Sequence, residues 1–328
     1  MNKKRNKRHR KRGSKQTVPT ETREPIPLLN RRALEKSLVD VCRALEGREF
    51  ESDKEMDAYL KELLKTGISE HARVLTPLEK AQDLMYEAWG SKGKRRLQLA
   101  REALQICPDC ADAYVLLAEE TATSAEEAVE FYTKAMQAGE RALGEEFFTS
   151  EAGNFWYLIE TRPYMRARAG LAGVLGYLGE TEAGLEHCME LLRLNPNDDQ
   201  AIRYLAAQYL FVLKRYKELK KLLNQYDEQS TFWCYSRALH EYLTAGDTRK
   251  ARRALIEAVD MNPFVAAFLL GMREPPDEPP DYYSPGDVSE AVIYMDQFSE
   301  IWFDSKEAFA WLVLTLAKAY VNNMIKEE

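Results

Sequence analysis

Hydrophobic residues recur at helical spacing along most of this chain, and no stretch of any length alternates apolar and polar residues as a β-strand would. Between residue 76 and about residue 263, helical runs of about 12–15 residues alternate with short breaks at Gly, Pro, Asn or Asp. The series opens on a capping signal. Thr76 can cap the first free amides, Pro77 needs no donor there, and Glu79 completes the capping box. The pattern predicts an all-α protein.

The helical runs come in pairs that share one register. Three of the second helices close in the same way, on Pro108, Pro196 or Pro263, each of which ends the helix. Counted back from those prolines, Gly184 and Ala251 occupy the same small-residue position. About five units in this register lie between residues 77 and 263. Small residues let paired helices approach closely, and large residues fill the space to the next unit, since one unit cannot bury its apolar face alone.

This register resembles the 34-residue tetratricopeptide repeat, with its large and small residues on the first helix and its small and aromatic residues on the second. The resemblance implies a helix-pair solenoid of about five repeats, closed by a C-terminal helical cap. The alternative interpretation is an irregular helical bundle whose periodicity arose by chance.

Composition divides the chain into four segments. Residues 1–29 contain three prolines and almost no apolar residue before Ile26, so we expect a disordered basic tail. Residues 30–75 are predicted to be an N-terminal helical segment. The repeat array is predicted over residues 76–272, with an aromatic insertion at 137–162. Residues 273–328 are predicted to form a Pro-rich loop followed by capping helices.

Charge separates the tail from the rest of the chain. Nine of the 46 Lys and Arg residues lie in residues 1–16, which contain no acid, so the remainder holds 37 basic against 53 acidic residues. Five cysteines are too sparse for a disulfide framework. No apolar run approaches the ~20 residues that a membrane span needs, and none follows the basic start as in a secretory signal. We therefore expect a cytoplasmic protein without a membrane span.

A narrower resemblance rests on the order of several local motifs. Asn154-Phe-Trp-Tyr157, Glu160-Thr-Arg-Pro-Tyr-Met-Arg-Ala-Arg168, Leu194-Asn-Pro-Asn-Asp198 and Tyr283-Ser-Pro-Gly-Asp287 follow one another along the chain. Over roughly residues 81–316 this order resembles bacterial relatives of the suppressor-of-tumorigenicity family. That family is built of such repeats and has no established enzymatic activity, so the resemblance implies a fold rather than a reaction.

Chemistry-bearing motifs are sparse. Cys107 and Cys110 form a C-x-x-C, but zinc would need two further ligands, and Pro108 is also the repeat's terminating proline. The four histidines are scattered, and phosphate-binding and nucleophile-elbow motifs are absent from the sequence. We expect no catalytic residues, no metal and no cofactor, and hence a protein that is not an enzyme.

By resemblance to tetratricopeptide arrays, the first helix of each unit lines a concave groove. Arg162 and Arg166 could face the same way there and recognise a carboxylate or a phosphate, or else pair with Glu160 or with acids of adjacent repeats. Aromatic residues mixed with arginines are typical of binding hot spots. The predicted partner-binding residues are Arg166, Tyr177, Gln200, Arg203, Phe211, Trp233 and His240.

The sequence favours a protein-interaction scaffold that holds a protein or peptide segment in this groove. The alternative is an RNA- or ribosome-associated factor anchored by its tail, since clustered Lys and Arg bind polyanions without reading sequence. The tail could equally be a solubilising extension. A further hypothesis places the Pro-rich stretch 273–286 across the groove. The predicted polyanion-binding residues are Lys3, Lys4, Arg5, Lys7, Arg8, Arg10, Lys11 and Arg12.

Overall fold

The structure is a computed structural model that describes residues 29–66, 74–276, 280 and 284–327. Residues 1–28, which hold nearly all of the predicted basic tail, lie outside the described residues. Where the chain is described, it contains helices and turns and no strand, so the prediction of an all-α fold is confirmed.

Two helices precede five consecutive helix pairs. The first two are α1 (Leu29–Leu45) and α2 (Asp53–Thr66). The first two pairs are α3 (Pro77–Gly90) with α4 (Gly93–Ile106) and α5 (Ala111–Thr121) with α6 (Ala125–Leu143). After the short α7 (Phe147–Ser150), the third pair is α8 (Arg162–Tyr177) with α9 (Thr181–Leu194). The last two are α10 (Ile202–Val212) with α11 (Tyr216–Gln225) and α12 (Thr231–Ala245) with α13 (Arg249–Met261).

Local signals in the sequence account for where the array begins. At the start of α3, the Glu79 amide donates to Oγ1 of Thr76 at 3.2 Å, and the Thr76 amide donates back to Oε2 of Glu79 at 2.8 Å. Pro77 occupies the first turn. The predicted capping box is therefore confirmed, and it satisfies two of the amides that a helix start leaves free.

Small residues between the helices permit the close packing on which the repeat depends. The Tyr209 ring on α10 lies over Gly176 and Gly184 of the preceding pair, and its hydroxyl donates to the Ala172 carbonyl at 2.8 Å. A Cβ atom at Gly176 would lie 2.0 Å from that hydroxyl oxygen. The tyrosine of one pair thus fills the space that the glycines of its neighbour leave open, which is the small–large complementarity predicted from the repeat.

The segment between α6 and α8 is folded onto the array. Residues 137–143 of the predicted insertion continue α6, and two 3₁₀ turns, Phe155–Tyr157 and Ile159–Thr161, lead into α8. Phe155 is fully buried, with its ring centroid 5.2 Å from that of Phe148. The aromatic residues Phe147, Phe148, Phe155 and Trp156 therefore extend the hydrophobic core, whereas Tyr157 is exposed.

Three helices follow the fifth pair: α14 (Pro263–Leu269), α15 (Val288–Asp304) and α16 (Lys306–Glu327). On α16, the Trp311 ring stacks on Tyr242 at 4.5 Å, and its Nε1 donates to Oδ1 of Asp247 at 2.9 Å. On α15, the Phe298 ring packs against Phe232. These contacts cover the end of the array and confirm the predicted helical cap.

The Pro-rich stretch 273–286 is described only in part, because residues 277–279 and 281–283 lie outside the described residues. At its described ends, the Arg273 guanidinium lies 5.2 Å from the Phe264 ring on α14, and the Gly286 amide donates to Oε2 of Glu290. The hypothesis that this loop crosses the groove stays a prediction. Among the helices of the described residues, none combines the length and apolarity that a bilayer crossing requires.

Candidate partner-binding groove

The first helices α3, α5, α8 and α10 pack on one another in a row, here called the first-helix face. Neighbours along the first part of this row pack directly on one another, α3 on α5 and α5 on α8. Helix α1 lies against α3 and reaches α5 and α8 through its side chains. A segment from outside the repeats therefore already occupies the first three units of this face.

Glu35 anchors α1 to the array. Its side chain is only 6% exposed, and its carboxylate accepts two hydrogen bonds from Arg166, from Nη1 to Oε2 at 2.9 Å and from Nη2 to Oε1 at 3.0 Å. The Tyr86 hydroxyl donates to Oε1 at 3.2 Å, and Nη1 of Arg162 lies 3.6 Å from Oε2. This is the paired fork geometry by which arginine recognises a carboxylate.

Arg166 is held in place from within the array. Its Nε and Nη2 donate to the two carboxylate oxygens of Asp112 on α5, at 2.8 and 2.6 Å. Asp112 is fully buried and also accepts from Nε2 of Gln82 at 2.7 Å. Desolvation works against the charged guanidinium, but the carboxylates of Asp112 and Glu35 outweigh it and raise the pKa of Arg166 above its ordinary value. The guanidinium is therefore cationic and oriented.

Tyr86 completes the carboxylate site as a donor. Burial, together with the nearby carboxylates of Glu35 and Asp112, raises the pKa of Tyr86 well above its usual range. The phenol thus keeps its proton and can donate to an anion. The Trp89 ring closes the site, with the Arg166 guanidinium 5.2 Å from the ring centroid.

The charges at the two ends of α1 have the opposite sign to its centre. Toward the N-terminal end, Arg32 lies 4.2 Å from the Trp89 ring centroid and 3.8 Å from the Glu119 carboxylate. Toward the C-terminal end, Nη1 of Arg43 donates to both carboxylate oxygens of Asp83, each at 3.0 Å. This part of the first-helix face is acidic at its flanks and basic at its centre, and α1 matches it.

A cavity of about 690 Å³ remains between α1 and the array. Val39, Cys42 and Leu45 of α1 line one side, and Leu78, Ala111 and Pro163 are among the residues that line the other. Apolar side chains elsewhere on α1 face outward, since Leu34 is 53% and Leu38 47% exposed. Helix α1 is therefore docked largely by its charges and leaves apolar space beneath it unfilled.

Three of the predicted groove residues differ in their accessibility. Arg166 lies in the site just described. There it pairs with Asp112, an acid of an adjacent repeat, which is one of the two alternatives that the sequence left open. Tyr177, at the end of α8, is 84% exposed. Gln200 is half-buried just before α10. Of these positions, Tyr177 is the most open to a partner.

Arg203 forms a separate, internally satisfied cluster at the start of α10. Its Nη1 donates to Oδ2 of Asp198 at 2.8 Å and its Nη2 to Oε2 of Glu228 at 2.7 Å. The guanidinium also lies 4.5 Å from the Tyr204 ring centroid. Burial disfavours the charge, but the hydrogen bonds to the two carboxylates prevail and raise the pKa of Arg203. The structure does not bring Arg203 together with Arg166.

The structure places Phe211, Trp233 and His240 in the interior. Phe211 and Trp233 belong to the main hydrophobic core, where the Trp233 ring lies edge-on to Tyr204 at 5.3 Å. His240 is buried, and its Nε2 donates to the Tyr216 carbonyl at 3.0 Å. Helix α12 packs against α11 and α15, and α10 also packs against α15, so these first helices are covered where the register assumes an open face.

Two residues of this candidate site escape the sequence-based prediction in different ways. Asp112 stands at a position that the repeat register assigns to the groove, but no local motif identifies it as the residue that orients Arg166. Glu35 lies outside the repeats, 131 residues from Arg166. In the sequence, Glu35 is marked only as an acidic residue between the apolar Leu34 and Leu38 of a predicted helix.

Cys107 and Cys110 lie in the turn between α4 and α5, where the Cys110 amide donates to the Cys107 carbonyl at 3.1 Å. Burial raises the pKa of the Cys110 thiol far above its usual range, so the thiol is protonated. In the part of the chain that the structure describes, His, Cys, Asp and Glu side chains do not converge in threes as a metal site would require.

The helix pairs and the groove define a tetratricopeptide-like helical repeat protein. Its sequence is related to the ST7 family, as the sequence resemblance predicted: the model of the family described as "ST7 protein" matches residues 75–155. Suppressor of tumorigenicity 7 protein-like from Rattus norvegicus is 28% identical over 241 residues, covering 66% of this chain and 43% of that protein. Suppressor of tumorigenicity 7 protein from Mus musculus is 26% identical over 263 residues, covering 66% and 45%.

The chain thus spans less than half the length of these curated relatives. Among solved structures it is similar to that titled "Crystal structure of YrrB: a TPR protein with an unusual peptide-binding site". The TM-score is 0.39 at 20% sequence identity, and the match covers 62% of this chain and 91% of that one.

Proposed function

We propose that this protein is an interaction scaffold that holds a segment of a partner protein on its first-helix face. The observation that carries the proposal is α1, a segment outside the repeats that lies on this face through the hydrogen bonds of Glu35 to Arg166. A surface that accommodates one helix through a buried carboxylate has the shape and the charge to accommodate another.

The exposed part of the same face extends the surface beyond α1. Tyr177, at the end of α8, is 84% exposed and shares one side of this helix with Arg166 by helical spacing. Gly173, between Arg166 and Tyr177 along α8, has no heavy atom within 4 Å of where a Cβ would stand. An exposed aromatic ring on the same helix face as an oriented arginine is typical of binding hot spots.

The affinity of such a surface for a single segment is modest. A flexible segment loses conformational freedom when it binds, so we expect a dissociation constant of roughly micromolar order, about −8 kcal/mol. Stable association in the cell then requires a partner that is abundant or contacts several units.

The test is a site-specific photo-crosslinker placed in the intact chain, in the cells that produce it, at Tyr177 or, as a matched control, at Glu130. Glu130 lies on the second helix α6, with 71% of its side chain exposed. We expect partner proteins to be captured from Tyr177 and not from Glu130. Equal capture at both positions, or capture from Glu130 alone, would overturn the proposal.

A second candidate function rests on the charge of the N-terminal tail, where nine Lys and Arg residues occur within residues 1–16. Binding of RNA or the ribosome through this segment would add an electrostatic anchor to the scaffold. Residues 1–16 lie outside the described residues, and this proposal is tested separately by deleting them.

A further inference from the structure

We propose that the part of the first-helix face formed by α3, α5 and α8 takes one kind of partner: an amphipathic helix that presents a carboxylate to Arg166 between two basic flanks. We further infer that α1 is the internal occupant which that helix displaces. The inference rests on the proposed function and specifies its ligand.

The carboxylate requirement comes from how Arg166 is held. Asp112 takes the Nε and Nη2 hydrogens at 2.8 and 2.6 Å, and this contact lies wholly within the array. The guanidinium therefore keeps its orientation when Glu35 leaves, with Nη1 and one further hydrogen on Nη2 facing the groove. A carboxylate restores both hydrogen bonds, whereas an amide or a hydroxyl leaves part of the buried charge unmatched.

The flank requirement comes from acids at both ends of the site. Glu119 faces Arg32 at one end, at 3.8 Å, and Asp83 faces Arg43 at the other, at 3.0 Å. Asp83 also lies 3.8 Å from Nζ of Lys36. An acidic helix without basic flanks would meet like charge at both ends. The fitting partner therefore repeats the order base, acid, base of Arg32, Glu35 and Arg43.

Displacement is favoured because α1 does not fill its own site. On the α1 side, the cavity of about 690 Å³ is lined by Val39, Cys42 and Leu45, and the first two have short side chains. A helix with larger apolar residues at those two positions would bury more surface in the same groove and gain affinity from it. The charges of α1 thus fix its register, while its packing leaves room for a better ligand.

The binding experiment uses the intact chain and a fluorescein-labelled synthetic peptide of residues 29–45, with fluorescence anisotropy as the readout. In the chain, Glu35→Lys removes the carboxylate that binds α1 to Arg166. Glu49→Lys, an exposed site between α1 and α2, makes the same change of charge away from the groove. We expect the Glu35→Lys chain to bind the peptide at least about tenfold more tightly than the wild-type or Glu49→Lys chain.

The peptide variants test the chemistry of the ligand. The affinity of a peptide carrying Glu35→Lys for the Glu35→Lys chain should be at least about tenfold lower than that of the native peptide. A peptide carrying Val39→Leu and Cys42→Leu should bind more tightly than the native sequence because it fills the cavity. The milder Glu35→Gln chain, with its fold checked by circular dichroism, supplies the same comparison if Glu35→Lys lowers the solubility of the protein.

Three results would overturn the inference. The first is equal peptide affinity of the wild-type, Glu35→Lys and Glu49→Lys chains, because α1 would then not be a displaceable occupant. The second is equal affinity of the native and Glu35→Lys peptides, because no carboxylate would then be recognised. The third is a wild-type dimer in size-exclusion chromatography that Glu35→Lys dissociates, because the occupant would then be a second copy. Each leaves capture at Tyr177 unaffected, so this inference and the proposed function fail separately.

Discussion

Arg166 and Asp112 are joined by two hydrogen bonds, from Nε and Nη2 of the guanidinium to the two carboxylate oxygens, at 2.8 and 2.6 Å. The pair links the first helix of the third unit to the first helix of the second. Both groups are largely desolvated, with 14% and 0% of their side chains exposed. The same guanidinium donates two hydrogen bonds to Glu35 at the centre of α1.

Replacing Asp112 should therefore destabilise the array more than an ordinary surface substitution does. Asp112→Ala leaves the buried guanidinium with one carboxylate in place of two, and we expect a loss of about 3–5 kcal/mol in the free energy of unfolding. Urea denaturation followed by circular dichroism measures it. The control is Asp109→Ala, which removes an exposed ion pair with Arg141 and should cost at most about 1 kcal/mol. Equal losses for the two variants would contradict the assigned role of Asp112.

Two glycines of α8 should respond to alanine in opposite directions. At Gly176 a Cβ would lie 2.0 Å from the Tyr209 hydroxyl oxygen, so Gly176→Ala should cost about 1–3 kcal/mol of stability. At Gly173 nothing lies within 4 Å of the new Cβ, and Gly173→Ala should stabilise the helix by about 0.5–1 kcal/mol. Thermal unfolding compares them. The packing of Tyr209 would be in error if both substitutions raised the melting temperature.

His240 should make stability depend on pH in the weakly acidic range. Burial lowers the pKa of His240 below its ordinary value, even though the Tyr216 carbonyl and Glu241 act in the opposite direction. The unfolded chain therefore binds a proton more readily than the folded chain, so stability is lost as the pH falls below about 6.5. NMR titration of the His240 ring should give a depressed pKa, and His240→Gln should flatten this part of the stability profile. A pKa at or above 6.5 would exclude this contribution.

Deleting residues 1–16 tests the polyanion hypothesis. If the tail anchors the protein to RNA or the ribosome, the deletion should abolish co-sedimentation with ribosomes. Binding by the intact chain should also weaken steeply as salt is raised from about 50 to 200 mM, because counterion release drives it. Co-sedimentation that survives both the deletion and the salt would assign the interaction to another part of the molecule.

The repeat fold could be predicted because its determinants are local. The caps, the terminating prolines and the small residues at Gly184 and Ala251 each constrain their own helix pair, and agreement among five pairs fixes the register. The closing helices could also be predicted, because Asp287 caps α15 and the apolar residues of α15 need the end of the array to pack against.

The site could be predicted only in part because its decisive contacts are distant in sequence. The register brings Arg166 to the first-helix face, but its partner Glu35 lies 131 residues away in a helix outside the repeats. Trp233 satisfies the same register and is nevertheless fully buried, because it packs against Tyr204 of the preceding pair. Periodicity identifies which residues share a helix face, and only tertiary packing decides whether that face is covered.

The most direct test of the account is hydrogen–deuterium exchange of the intact chain with and without a partner recovered by cross-linking at Tyr177. If the partner lies on the first-helix face and displaces α1, amides of α1 should exchange faster in the complex, while those of α5 and α8 become more protected. Protection confined to the second helices α4, α6 and α9, with exchange of α1 unchanged, would contradict the account.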